Sequence, residues 1–81
     1  MYVSAIHEVS DPAAFWSGKL DLPPGTELVV VLPSDDGSRG VCIFRSDSLA
    51  TVRTTVDGQT SAVSKNDYFT INDRNAMGLP A

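Results

Sequence analysis

Residues 26–45, TELVVVLPSDDGSRGVCIFR, decide the fold. The first part, residues 26–32, is apolar almost throughout, which is typical of a strand buried on both faces. Asp36-Gly37 is the strongest short signal for a tight hairpin turn between two strands. Arg39–Arg45 then returns as the next strand. The stretch therefore predicts two antiparallel neighbours in a sheet, joined by a short turn.

One strand and one short helix precede this hairpin. Tyr2–Val9 alternates in side-chain character and predicts a strand whose two faces are both partly covered. A helix is predicted over residues 12–18, with Asp11 as its N-cap and a proline at its first position. About two turns of helix are too short to be stable alone, so packing by Phe15 or Trp16 must hold the helix in place.

A second helix and a fourth strand follow the hairpin. Ser46 is the predicted N-cap, and Gly58 is predicted to end the helix. Apolar residues at i, i+3 and i+7 form one stripe along it, consisting of Leu49, Val52 and Val56. A polar connection then leads to the last predicted strand, residues 67–72.

The order strand, helix, strand, strand, helix, strand predicts a single α+β domain over residues 1–81. This βαββαβ string is the ferredoxin-like or split βαβ pattern. Right-handed crossovers place both short helices on one face of a four-stranded antiparallel sheet with strand order 4-1-3-2.

The helix-free face of that sheet predicts a dimer. The second and third strands carry apolar residues at both parities, so one apolar set would be left in water in a monomer. We therefore expect two copies to pair through their sheets. One parity holds Leu28, Val30, Leu32, Val41 and Ile43, and the other holds Val29, Val31, Cys42 and Phe44.

With this strand order and these two-sided strands, residues 2–72 resemble the dimeric α/β-barrel superfamily, in which two ferredoxin-like sheets face each other. The chain is also similar to small single-domain bacterial proteins of uncharacterised role that are built in this way. Members of the superfamily include cofactor-free monooxygenases, haem-handling enzymes, stress-response proteins and small binding domains. The resemblance therefore implies a fold and a dimer, and it does not choose a function.

Composition excludes several classes of function. The longest apolar run is residues 28–32, far below the roughly 20 residues of a membrane helix, and no signal peptide is read, so we expect a cytoplasmic protein without membrane contact. A net charge of −4 argues against binding to nucleic acid. Cys42 is the only cysteine and His7 the only histidine. We therefore expect neither a bound metal nor another cofactor.

His7 is the leading candidate for a functional residue. Its strand is central in the predicted order, which places His7 near Arg39, Val41 or Cys42 on one side and near Asp67 or Tyr68 on the other. An imidazole in that setting could act as a general base. The competing interpretation is a structural, hydrogen-bonded histidine. The candidate pocket residues are His7, Arg39, Cys42, Tyr68 and Trp16.

The sequence leaves three functions open. We favour a small homodimer that binds a small molecule or acts as a regulatory module, without catalysis of its own. The alternative is a cofactor-free, monooxygenase-like enzyme with His7 as its base. The third is a purely structural or protein-interaction domain. A cavity beside His7 would favour the first two, whereas a filled core would favour the third.

Overall fold

The computed structural model describes residues 1–80, which form one sheet covered by two helices on one face. The strands are β1 (Tyr2–Val9), β2 (Glu27–Pro33), β3 (Arg39–Arg45) and β4 (Ser64–Thr70). The helices are α1 (Pro12–Ser17), between β1 and β2, and α2 (Leu49–Thr60), between β3 and β4. The sequence therefore predicted the class, α+β, and the number of elements.

All neighbouring strands of the sheet are antiparallel. The spatial order is β2-β3-β1-β4, which reads 4-1-3-2 when it is counted from the other edge. Strand β1 lies between β3 and β4, so His7 is directly opposite Gly40 on one side and Asn66 on the other. This central placement surrounds His7 with backbone on both sides.

Both helices pack on the face of the sheet that carries His7. Val52 and Val56 of α2 contact the buried strand residues Val3, Ala5 and Phe44 in one hydrophobic core. Helix α1 instead lies beside His7, and none of its residues is fully buried. The core is thus centred under α2, and α1 covers a thinner part of the same face.

Strand β2 differs from its prediction because it lies at the edge of the sheet and is largely exposed in the single chain. A β-bulge between Leu28 and Val30 also changes its alternation. Leu28 and Val31 pair with the helix-facing residues of β3, whereas Val30 and Leu32 pair with residues of the opposite face. The predicted parity set was therefore wrong within β2, since a bulge inserts one extra residue that sequence alternation cannot show.

Helix α2 begins and ends later than predicted. Its N-cap is Ser48, whose side chain accepts a hydrogen bond from the backbone N–H of Thr51. Ser46 is instead buried against Thr26, with 2.9 Å between the two hydroxyl oxygens. Gly58 lies inside the helix, on a side where a Cβ would meet nothing within 4 Å.

The late end of α2 also moves the last strand. The connection between α2 and β4 is shorter than predicted, since α2 runs to Thr60 and β4 begins at Ser64. Strand β4 therefore starts three residues before the predicted position, residue 67, and includes Asn66.

The face of the sheet away from the helices, here called the open face, is apolar at its centre. Leu32 is 57% exposed, Phe69 is 50% exposed and Ile6 is 37% exposed. Charged residues lie at both ends of this face: Glu8 of β1 pairs with Arg39 and Lys65 at one end, and Arg45 pairs with Glu27 at the other. The apolar side chains of the open face are Ile6, Val30, Leu32, Val41, Ile43 and Phe69.

Across residues 1–80, neither helix has the length and apolar character that a membrane crossing requires.

Candidate functional site beside His7

A pocket of about 420 Å³ lies between the helices and the sheet, next to His7. Every element except β4 contributes to its walls, and so does the loop between α1 and β2. The walls are mainly apolar. Their apolar members are Ala14, Phe15, Trp16, Leu20, Leu22, Leu28, Val31, Val56 and Val63. The volume and lining are those of a site for a small apolar molecule.

His7 lines this pocket and holds a buried polar atom. Its side chain is almost fully buried, with 1% exposure. The Nδ1 atom lies 2.6 Å from Oδ1 of Asn66 on the neighbouring strand. The other ring nitrogen, Nε2, is buried and has no hydrogen-bond partner among residues 1–80. Such an atom costs free energy unless something else satisfies it.

A relay of hydrogen bonds behind His7 determines which ring nitrogen carries the proton. The amide nitrogen of Asn66 donates to a carboxylate oxygen of Asp57 at 2.9 Å and to the hydroxyl of Thr60 at 3.1 Å. Since that side of the amide is used, the carbonyl oxygen of Asn66 faces His7 and can only accept. Nδ1 therefore carries the proton, and Nε2 of the neutral ring is an acceptor.

The electrostatic environment favours the neutral ring. Burial lowers the pKa of His7 below its ordinary value of 6.5, against the opposing effects of the Asn66 hydrogen bond and the Asp57 charge. Tyr68 donates to the same oxygen of Asp57 at 2.6 Å, and burial together with this bond raises the pKa of Tyr68. At neutral pH the site therefore holds an uncharged imidazole and an uncharged phenol.

Helix α1 is held over this site by Trp16. The indole nitrogen donates to the backbone oxygen of Gly37 in the β2–β3 turn at 2.7 Å. The ring occupies the space above Gly40, where a Cβ would come within 2.4 Å of it. Beside it, the ring of Phe15 lies 4.9 Å from the ring of His7, measured between centroids. The helix thus presents two aromatic rings to the pocket.

Gln59 closes the opposite side of the pocket. Its side-chain oxygen accepts from the backbone N–H of Asp21 at 2.9 Å, and its amide nitrogen donates to the backbone oxygen of Asp21 at 2.8 Å. These two bonds tie α2 to the loop that carries Leu20 and Leu22. Both atoms of the Gln59 amide are therefore engaged, even though the residue lines the pocket.

The structure brings together three of the five predicted site residues. His7, Trp16 and Cys42 all line the pocket. Tyr68 does not line it but is connected to His7 through Asp57 and Asn66. Burial raises the pKa of the Cys42 thiol to about 11, so it contributes apolar surface and not a thiolate.

Arg39 does not belong to this site. It pairs with Glu8, one position beyond His7 on β1, and alternation therefore directs it to the other face of the sheet. There it lines a separate, wide cleft of about 610 Å³ together with Glu8 and Lys65. Arg39 lies near His7 on the neighbouring strand, as predicted, but it is not a residue of this pocket, because Gly40 is the residue opposite His7.

Sequence reasoning missed Asn66, Asp57 and Thr60. Asn66 fell between the predicted connection, which ended at residue 65, and the predicted strand, which began at residue 67, so its position opposite His7 was not foreseen. Asp57 lies just before the predicted end of the helix at Gly58, and Thr60 lies beyond that end. The spacing of Asp57, Thr60 and Asn66 matches no known motif, and only the register of β1 and β4 brings them to His7.

Within residues 1–80, no group of His, Cys, Asp and Glu side chains is arranged to hold a metal ion. Comparison with protein-family models, with curated proteins and with solved structures finds no match to this chain. The interpretation of the site therefore rests on its own geometry and chemistry.

Proposed function

We propose that this chain is a small homodimeric protein that binds a small apolar molecule in the pocket beside His7, without catalysing its conversion. The observation that carries the proposal is the buried Nε2 of His7, which has no partner within residues 1–80 and belongs to a residue that lines the pocket. A ligand that satisfied this atom would remove its desolvation cost.

The apolar walls support binding in a second way. Nine apolar side chains and the buried Cys42 surround the same cavity. An unfilled apolar cavity costs packing energy, which a bound apolar molecule recovers. A domain whose only role was to contact another protein would have no need of this cavity, so the purely structural interpretation is the weakest of the three.

The open face supports the dimer. Its apolar centre and its charged ends, one of which has Glu8 between Arg39 and Lys65, have the arrangement of a hydrophobic interface core with a polar rim. A second copy is the occupant we propose, because each charged end carries both signs and can pair with itself across a two-fold axis. The assembly would be the face-to-face pairing of ferredoxin-like sheets found in dimeric α/β barrels.

A second function is favoured by one specific observation. The relay from Asp57 through Asn66 holds His7 with Nε2 unprotonated, which is the state required of a general base. If the bound molecule carried an acidic proton within hydrogen-bond reach of Nε2, His7 could remove it. We prefer binding alone, because a hydrogen-bond acceptor at Nε2 already accounts for the relay without a proton transfer.

Two measurements test the proposal. Native mass spectrometry of protein purified under non-denaturing conditions reports dimerisation and any retained small molecule together. Titration of isotope-labelled protein with propylbenzene then asks whether the amide signals of pocket residues such as Gly18, Val31 and Thr60 shift. The matched control is a variant in which Cys42→Phe fills the pocket. We expect the shifts in the native chain and not in the variant, and their absence from both would contradict the proposal.

A further inference from the structure

We infer that the ligand of this pocket is an uncharged apolar molecule whose one polar group is a hydrogen-bond donor, an O–H or N–H, that binds Nε2 of His7. The inference rests on the proposed binding function and specifies its chemistry. It concerns the class of molecule, and it assigns Asn66 and Asp57 as positioning residues that set this preference.

First, the uncharged polar side chains of the pocket wall other than His7 already have hydrogen-bond partners within the protein. The hydroxyl of Thr60 donates to the backbone oxygen of Val56 at 2.7 Å and accepts from Asn66, so it is already satisfied. Gln59 uses both ends of its amide on the loop backbone at Asp21. Among the buried side-chain atoms of residues 1–80, Nε2 of His7 is left for a ligand.

The second step is the direction of the hydrogen bond. Because Asn66 accepts from Nδ1, the neutral imidazole has its lone pair at Nε2. Asn66 cannot rotate its amide to reverse this pattern without losing its bonds to Asp57 and Thr60. The ligand must therefore supply the proton of the hydrogen bond, and an ether, ketone or ester oxygen at this position would face a lone pair.

The third step concerns charge. The charged side chain that acts on the ring is the carboxylate of Asp57, which lies behind Asn66. A ligand carboxylate at Nε2 would meet a lone pair in a buried setting near that negative charge, which is unfavourable. Lys19 also lines the pocket but is exposed, so it lies at the solvent side. An uncharged donor is consequently preferred at the His7 end.

The fourth step is access. Nε2 is buried in the free protein, so a ligand reaches it only when a neighbouring side chain moves. Phe15 packs against the His7 ring, and it belongs to a helix of six residues with no buried side chain. Helix α1 therefore has no buried side chain to expose when it moves, and displacement of Phe15 is the route by which we expect a ligand to reach Nε2.

Four matched probes test the inference, namely propylbenzene, 4-propylphenol, 4-propylanisole and 4-propylbenzoate. All four share the propylphenyl group. Propylbenzene has no polar group, the phenol is a hydrogen-bond donor, the anisole is an acceptor only, and the benzoate is an anion. Affinities come from the fluorescence of Trp16, the only tryptophan, and from shifts of the pocket amides. We expect 4-propylphenol to bind about 5- to 150-fold more tightly than 4-propylanisole, the range that one buried hydrogen bond supplies.

Two further measurements assign the effect to His7. In the variant His7→Phe, which keeps an aromatic ring and lacks the acceptor, the phenol and the anisole should bind equally. Ring-nitrogen NMR of the native protein should show the proton on Nδ1, whether or not that variant folds. A preference for the phenol that persists in a folded His7→Phe variant, or a proton on Nε2, would overturn the inference.

The outcomes separate the two levels of the proposal. Equal binding of the phenol and the anisole to the native protein overturns the ligand class and leaves the binding function standing. Tighter binding of the benzoate does the same. If none of the four probes binds, the binding function fails as well. Tight phenol binding with the proton on Nδ1 supports both.

Discussion

The indole ring of Trp16 occupies the position that a side chain at residue 40 would take. A Cβ placed on Gly40 would lie 2.4 Å from Cη2 of Trp16 and 2.5 Å from Cζ2, distances far inside van der Waals contact. Gly40 is also the residue paired with His7 across β1 and β3. The absence of a side chain on one strand thus allows α1 to close over the pocket.

This contact predicts the effect of Gly40→Ala. The new methyl group would displace Trp16 and lengthen its bond to Gly37, which should destabilise the fold by about 1–3 kcal/mol. Gly58→Ala is the matched control, because a Cβ there meets nothing and alanine favours a helix by about 0.5–1 kcal/mol. Urea unfolding monitored by fluorescence and by circular dichroism measures both, and a Gly40→Ala variant as stable as the native chain would contradict the prediction.

Stability should fall in acid through His7. Its pKa is lowered from 6.5 by folding, so the unfolded chain binds the proton more readily. Above both pKa values the ring is neutral in the folded and the unfolded chain, so His7 adds no pH dependence to the free energy of unfolding. As the pH falls through 6.5 toward the pKa of the folded state, protonation of the unfolded chain lowers that free energy. The groups that face the ring are Asn66, Phe15 and Trp16, with the carboxylate of Asp57 behind Asn66.

The measurement is the melting temperature between pH 7.5 and pH 5 for the native chain and for His7→Gln. We expect the native melting temperature to decrease more steeply than that of the variant, since glutamine does not titrate. Parallel curves would show that His7 does not contribute, because the carboxylates common to both chains would then account for the whole dependence.

Cys42 should be unreactive in the folded protein. With its pKa raised to about 11 by burial, only about a thousandth of the thiol is ionised at pH 8. A thiol reagent such as DTNB should therefore react at the rate of unfolding and reach full reaction in denaturant. Rapid stoichiometric reaction of the folded chain would mean that the pocket opens to solvent more widely than its walls suggest.

The open face predicts the oligomeric state. Light scattering at tens of micromolar should give about twice 8.6 kDa, since a stable interface buries roughly 1,200–2,000 Å² in total. Leu32→Glu places a charge among the exposed apolar side chains of that face and should give a monomer. Thr54→Glu adds the same charge on an exposed position of α2 and should leave the dimer intact. A native monomer, or a Leu32→Glu dimer, would remove the open face as the interface.

Local signals in the sequence predicted the elements well, and long-range register could not be predicted. The limits of β1 and β3 and the capping of α1 by Asp11 follow from neighbours in the chain, and the structure confirms them. The start of α2 was wrong because residues 46–48 contain two serines, and the earlier one is bound to Thr26 from a distant loop.

The same distinction applies to the site. The central position of His7 and its nearness to Cys42 could be expected from the predicted strand order. The relay through Asn66 and Asp57 could not, because it depends on where α2 ends and therefore on which residue of β4 lies opposite His7. Because β4 begins three residues earlier than predicted, Asn66 belongs to the strand and orients the imidazole of His7.

The bulge between Leu28 and Val30 makes one edge strand serve both sides of the molecule. Leu28 and Val31 line the pocket, while Val30 and Leu32 belong to the open face. Because residues 29–31 are all valine, deleting any one of them gives the same chain, in which β2 has no extra residue between Leu28 and Leu32. Loss of one valine would therefore remove the bulge and leave Leu28 on the pocket side and Leu32 on the open face, whereas loss of a second valine would exchange the two faces beyond that point.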